Sequence, residues 1–378
     1  HQDAEGTVSF ENLEQRVLDN ATTVKMLDET IASIDATDFD KMYDDLRDGL
    51  NGISNAQVGM IQASKLPEDH PYYQPMNDYM YDKLADQYAT MEKTFDDLKE
   101  GKLQTDAEAA KRQLQDAKNQ TVMGAETLYI AILEMQNTRQ GLQRQLDAMD
   151  RSVAEMELRY QLGQISALTL QQVKDGRTQL QSGLDTLEMN LANYTRQLEV
   201  MLGLPQTGTL ILEEVPKVSK SQVEKMSLEE DLAAAKEKSY TLYAAKRDLD
   251  EAKETYDDAR DQYGTNDHQR KSAEHTYAAA QYTYQSSLES FELNFRTAFA
   301  AVADYQQVLE ASESALAYQQ SSYAASELKY QQGTISKNTL LTAQDDLRAA
   351  EDAVTTARHN LFSAYNTYLW AVEYGILN

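Results

Sequence analysis

The stretches Arg159-Tyr-Gln-Leu-Gly-Gln-Ile-Ser166 and Lys329-Tyr-Gln-Gln-Gly-Thr-Ile-Ser336 read almost alike, 170 positions apart, and each lies between long segments of helical pattern. A glycine at 163 or 333 can take the left-handed conformation that ends a helix, the β-branched Ile165 or Ile335 can seal the bend, and Ser166 or Ser336 can cap the next helix. Each copy therefore predicts a sharp reversal of the chain, and the whole reads as one helical hairpin built twice.

Outward from these turns the apolar residues keep a seven-residue register, the pattern of helices that supercoil left-handedly along a continuous seam. Before the second turn Leu288, Phe295, Val302, Leu309, Leu316, Tyr323 and Tyr330 are seven apart, with a companion row at Tyr277, Tyr284, Phe291, Ala298 and Tyr305. After it come Leu340, Leu347, Val354, Leu361 and Tyr368, beside Ala343, Ala350, Ala357, Ala364 and Ala371. A row of alanines lets a neighbouring helix approach closely. The first copy has Leu128, Met135, Leu142, Met149 and Met156 before its turn. After the turn it has Leu184, Leu191 and Leu198 with Val173, Leu180, Leu187, Tyr194 and Met201; Arg139 and Arg177 interrupt the rows. Two copies in phase predict an all-α fold of two tandem repeats of long antiparallel coiled-coil hairpins. A helix from about Asp106 to Tyr160 would be roughly 80 Å long at 1.5 Å per residue.

The five prolines fall at 67, 71 and 75 and at 205 and 216, leaving 76–204 and 217–378 free of the strongest helix breaker. The spacing predicts a first repeat over 1–204, with a helical insertion at about 42–104, a linker over 205–226, and a second repeat over 227–378. A short strand is expected at Leu210 to Leu212. Each repeat opens with a shorter helix, near Ser9 and at Ser227, where Ser227 and Glu230 stand at capping-box spacing. The excursion after that helix is a polar break in the second repeat, Tyr263 to His268. In the first it is longer, with a bend at Lys65 to Pro75 and helical pattern on both sides.

Chemistry finds little support. A net charge of −27, with 62 acidic against 35 basic residues, argues against a nucleic-acid surface and reads mostly as the solvated face of long helices. The absence of cysteine excludes disulfides and thiolate sites and is compatible with an extracytoplasmic home. No run approaches the roughly 18 apolar residues of a membrane span, and the start, His1-Gln-Asp-Ala-Glu-Gly, shows no basic-plus-apolar leader. His1, His70, His268, His275 and His359 are scattered, with no pair at the i, i+4 spacing of a helical metal site, so no metal or cofactor is expected. Adjacent carboxylates such as Asp44 with Asp45 and Asp257 with Asp258 point to different sides of a helix and read as surface charge. Phosphate loops and nucleophile elbows are missing, and the chain is not expected to be an enzyme. Tyr72, Tyr73, Tyr79, Tyr81 and Tyr88 crowd the bend of the first excursion. Packing against neighbouring helices accounts for them, with a distal contact surface formed by the first four as the alternative.

In these residues the chain resembles the TolC-like outer-membrane efflux protein family. Its members carry two tandem repeats, each with a Tyr/Phe-x-x-Gly-x-x-Ser/Thr turn, a downstream apolar position, and Leu and Ala heptads that end in a Leu-Gly pair. The matching pieces are Tyr160 to Ser166 with Leu170 and Met201-Leu-Gly203, and Tyr330 to Ser336 with Leu340 and Glu373-Tyr-Gly375. The resemblance implies that Gly163, Gln164, Ile165 and Ser166, with Gly333, Thr334, Ile335 and Ser336, form the tip of a helical duct. There a periplasmic-adaptor-like (membrane fusion) protein would dock, working with an ABC-type or similar transporter, and three chains would assemble. The family also inserts paired β-strands in each repeat to close an outer-membrane barrel. Here the 263–268 break is too short for two strands of roughly ten residues, and the first excursion reads helical. That departure implies a form without the barrel, in a cell envelope that has no outer membrane. The aspartate that the family often places after the turn is Thr169 in one copy and Thr339 in the other. The competing expectation is a structural coiled-coil surface protein that tethers or spaces partners and conducts nothing.

Overall fold

Helix breakers and caps divide the chain much as their positions suggest. The computed structural model describes residues 3–377, so His1 lies outside the described residues. The order is β1 (Thr7–Val8), α1 (Phe10–Asn20), α2 (Thr22–Asp35), α3 (Phe39–Ser64), α4 (Asp78–Lys99), α5 (Lys102–Gln161) and α6 (Ala167–Met201). Then follow β2 (Ile211–Leu212), α7 (Lys220–Glu224), α8 (Leu228–Lys238), α9 (Tyr240–Gln262), α10 (His268–Gln331) and α11 (Lys337–Tyr374). The fold is all-α. Among the described residues the only strands are β1 and β2, a parallel pair that sets Thr7 against Ile211 and Val8 against Leu212, and no strands form a barrel. Pro67, Pro71 and Pro75 fall between α3 and α4, while Pro205 and Pro216 flank β2. Besides the first turn, the proline-free zone after 76 breaks at Gly101, whose φ of 79° only glycine adopts readily.

Packing separates the described chain into two units. One takes the chain up to Lys25 and from Lys118 onward; the other is Met26–Ala117. The second unit is built on the antiparallel α3 and α4, where Tyr43 packs on Phe95 with ring centroids 4.8 Å apart.

The first unit holds two apolar cores. In one, Val8, Leu13, Val17, Tyr129, Ile132, Leu198 and Trp370 close around the β pair. Tyr129 is fully buried. Its hydroxyl donates to the carbonyl of Glu213 (2.6 Å), with the carbonyl of Val8 at 3.0 Å, so one phenol fastens both strands to α5. The buried carboxylate of Glu199 accepts from the backbone N–H groups of Gly208 (2.8 Å), Thr209 (3.1 Å) and Leu210 (3.2 Å), which holds the segment leading into β2. Burial raises its pKa, but these bonds outweigh it and hold the carboxyl below its ordinary range. The other core joins Leu232, Leu242, Phe291, Phe295, Val302, Leu361, Tyr368 and Ala371 from α8, α9, α10 and α11.

The seven-residue rows supply much of this core, unevenly. Leu184, Leu191 and Leu198 are buried, as are Phe295, Val302, Val354, Leu361 and Tyr368. Toward the turns Leu309, Leu316, Tyr323, Leu340 and Leu347 are half-buried, and Tyr330 is exposed. On α5 the row from Leu128 to Met156 is only half-buried; Tyr129, Ile132 and Leu146 sink deeper. The opening helices also correspond. α1 and α8 are each 11 residues long and end in extended residues of similar angles, Ala21 (φ −62°, ψ 123°) and Ser239 (φ −64°, ψ 117°). Ser227 and Glu230 do not form a capping box. The Ser227 N–H donates instead to the carboxylate of Asp231 (2.8 Å), and a capping box forms upstream, between Ser219 and Gln222. Asp231 prevails because it also accepts from the Tyr368 hydroxyl, a tertiary contact that Glu230 does not make.

Candidate functional site at the two hairpin turns

Each turn is assembled by backbone geometry that its own eight residues dictate. In the first, Gly163 has φ 72°, its N–H donates to the carbonyl of Tyr160 (2.9 Å), and the N–H of Gln164 donates to that of Arg159 (2.8 Å). In the second, Gly333 has φ 72°, its N–H donates to Tyr330 (2.9 Å), and that of Thr334 to Lys329 (2.9 Å). This pair of bonds is the Schellman ending, in which a left-handed residue lets the last carbonyls of a helix find donors. Two residues on, the hydroxyls of Ser166 and Ser336 accept from the N–H groups of Thr169 and Thr339, both at 3.1 Å. The threonine hydroxyls lie 2.9 Å from the same serine hydroxyls, so each position where the resemblance led one to look for an aspartate completes a neutral cap. Ile165 and Ile335 are half-buried in turns that are otherwise exposed.

The two turns share one end of their unit. Helices α5 and α11 run antiparallel, and their contacts step in opposite directions along the two chains. Trp370 donates to Glu126 (2.5 Å), His359 meets Glu134 (2.7 Å), Arg144 pairs with Asp352, and Arg151 pairs with Asp345. Gly163 stands twelve positions after Arg151, and Gly333 twelve positions before Asp345. Within the hairpins, Glu157 pairs with Lys174 and Asp150 with Arg177, both at 2.7 Å, so Arg177 leaves its row to bridge α5 and α6. Around the turns Leu158, Leu162, Leu168 and Leu328 are exposed, Leu162 by 63% and Leu168 by 69%, which is much apolar surface for one end of a helix pair.

The tyrosines of the first excursion divide. Tyr72 and Tyr79 are 76% and 68% exposed, so packing does not account for them; Tyr73, Tyr81 and Tyr88 are half-buried. Lys83 lies over the ring of Tyr79, 5.1 Å from its centroid. Asp44 and Asp257 each pair with an arginine three residues on, as surface charge does.

Sequence spacing gave no sign of His359. It is buried, with Nδ1 2.7 Å from the Glu134 carboxylate and Nε2 2.6 Å from that of Glu214. Thr356 donates to the other oxygen of Glu134 (2.6 Å), and Asn137 donates to Thr356 (3.0 Å). A neutral imidazole has one donor, and two carboxylates need two, so the ring is an imidazolium. Burial opposes the charge, but the hydrogen bonds the ring donates to the two carboxylates prevail and push the pKa up to about 9. The cluster ties the segment after β2 to α5 and α11.

No family profile matches the chain, and no curated protein matches it in sequence. Solved structures do. The outer membrane protein VceC of Vibrio cholerae matches at 14% identity and TM-score 0.52, covering 96% of this chain and 95% of its own. A membrane protein of Pseudomonas aeruginosa matches at 13% and 0.56, covering 98% and 90%. The CmeC outer membrane channel of Campylobacter jejuni matches at 10% and 0.54, covering 97% and 86%. The fold of this chain is thus similar to that of these membrane proteins, two of which come from the outer membrane. This chain is helical, and its described residues have no barrel strands. Because VceC and CmeC are outer membrane proteins, the likeness lends no support to an envelope without an outer membrane.

Proposed function

We propose that the chain is a non-enzymatic component of an extracytoplasmic efflux or export assembly, a TolC-like helical duct or spacer in the cell envelope. Its two turns dock an adaptor protein through Gly163, Gln164, Ile165 and Ser166 and through Gly333, Thr334, Ile335 and Ser336, and an ABC-type or similar transporter energises the pathway. The observation that carries this reading is the pairing of two turns of matching geometry at one end of a unit, ringed by exposed leucines. Exposed apolar residues along α6 (Met189, Val200) and α10 (Leu293, Tyr318) support assembly with further copies, three by family resemblance. Replacing all eight turn residues is expected to abolish pull-down of the adaptor while helicity is kept; intact pull-down overturns the docking role.

The absence of barrel strands among the described residues favours a second reading, a structural coiled-coil protein that tethers or spaces partners. Light scattering followed by particle imaging separates the two. A closed oligomer with a lumen supports the duct, and a solid monomer supports the tether.

A further inference from the structure

Near the turns, helices α5, α6 and α11 enclose an open groove of about 670 Å³, lined by Arg139, Arg144, Arg151 and Arg348 and by Gln140, Gln344 and Leu341. In a chain of net charge −27, four arginines in one groove need an account. Arg144 and Arg151 are served by Asp352 and Asp345. Arg348 stands three residues after Asp345 and four before Asp352, on the same helix face and between those carboxylates. Asp352 and Asp345 are thus taken by Arg144 and Arg151, while Asp147 and Glu188 line the same groove without an ion pair to any of its arginines. Neither Arg348 nor Arg139 has an ion-pair partner among the described residues. Burial, and then the charge of Arg348, hold the Arg144 guanidinium below its usual value, as crowded cations require.

We propose that this groove binds small organic oxyanions, carboxylates or phosphate esters. The planar guanidinium fork reads both, and the volume is that of a small-molecule site. Asp147 and Glu188 also line the groove, so a bare anion gains less than an organic ligand. Such a ligand sets its acid at Arg348 and rests its uncharged body along Leu341 and the glutamines.

The test is calorimetric titration of the whole chain at low salt with two probes, citrate and phenyl phosphate. Saturable binding of at least one is expected, and the probe that binds names the acid. The double variant Arg139→Gln/Arg348→Gln removes no internal ion pair, so its thermal midpoint should stay unchanged while affinity falls at least about fivefold, the loss of charge-assisted bonds. Arg348→Lys, which keeps the charge but not the fork, should fall between. Absence of saturable binding by both probes, or a smaller loss in the double variant, overturns the proposal. Binding does not depend on the duct reading, so failure of one leaves the other standing.

Discussion

Arg151 of α5 is ion-paired with Asp345 of α11, and each stands twelve residues from the glycine of its own turn. The pair aligns the two hairpins. An antiparallel seam that matches residues step for step leaves the turns no place but side by side, so any partner that grips one meets the other.

Gly163→Ala and Gly333→Ala test what holds the tip. A methyl group would meet nothing within 4 Å at either position, so the cost is conformational alone, about 1–2 kcal/mol each for a left-handed non-glycine residue. Gly375 also has positive φ, but a methyl there would lie 2.3 Å from the backbone nitrogen of Ser239. Gly375→Ala is therefore expected to cost about 1–3 kcal/mol more through overpacking. Equal losses for the three variants in chemical denaturation would contradict this account.

Ser166→Ala and Ser336→Ala each remove a helix cap and should cost about 1 kcal/mol. The loss stays local. Hydrogen exchange is expected to quicken in the first turns of α6 and α11 and to remain unchanged at the far ends of those helices.

His359 makes stability depend on pH in two directions. Its folded pKa, about 9, lies above its ordinary 6.5, so its contribution is complete below pH 6.5 and is lost as pH rises through 9. Glu214, held down first by its bond to His359, and Glu134, held down by His359 and Thr356 despite burial, contribute above their ordinary 4.5 and lose that contribution as pH falls below it. Arg358 faces Glu214 from α11 and adds to the pull that holds its carboxyl down. Denaturation midpoints across pH should show an alkaline decline that His359→Gln flattens. That variant should cost about 1–3 kcal/mol at neutral pH, chiefly by leaving the half-buried Glu134 carboxylate without its charged donor. Glu214→Gln should cost less, because Glu214 is exposed.

Tyr129→Phe leaves the carbonyl of Glu213 and the buried carbonyl of Val8 without their side-chain donor. The expected loss is about 1–2 kcal/mol. Faster exchange of the Glu213 N–H, which donates to the Val8 carbonyl at 3.0 Å, would report loosening of the β pair. Exchange as slow as in the parent chain would show that the phenol does not hold the strands.

Much of this architecture is written in residues a few positions apart. Gly163, Ser166 and their counterparts at 333 and 336 specify their turns within eight residues, because a Schellman ending and a serine cap are made from neighbours in the chain. The prolines at 67, 71, 75, 205 and 216 bound the helical zones for the same local reason. The seven-residue rows announced hairpins, though not that burial would fade toward the turns, since burial counts neighbours that lie far off in sequence. The capping box expected at Ser227 failed on such a neighbour, Tyr368. His359 shows the limit most plainly: its partners stand 145 and 225 residues away. No spacing on one helix signals them, so the sequence by itself determined two reversals, an all-helical chain and its register. Only tertiary structure decided which charges would meet in the seam, because pairing among distant residues is set by how the helices pack.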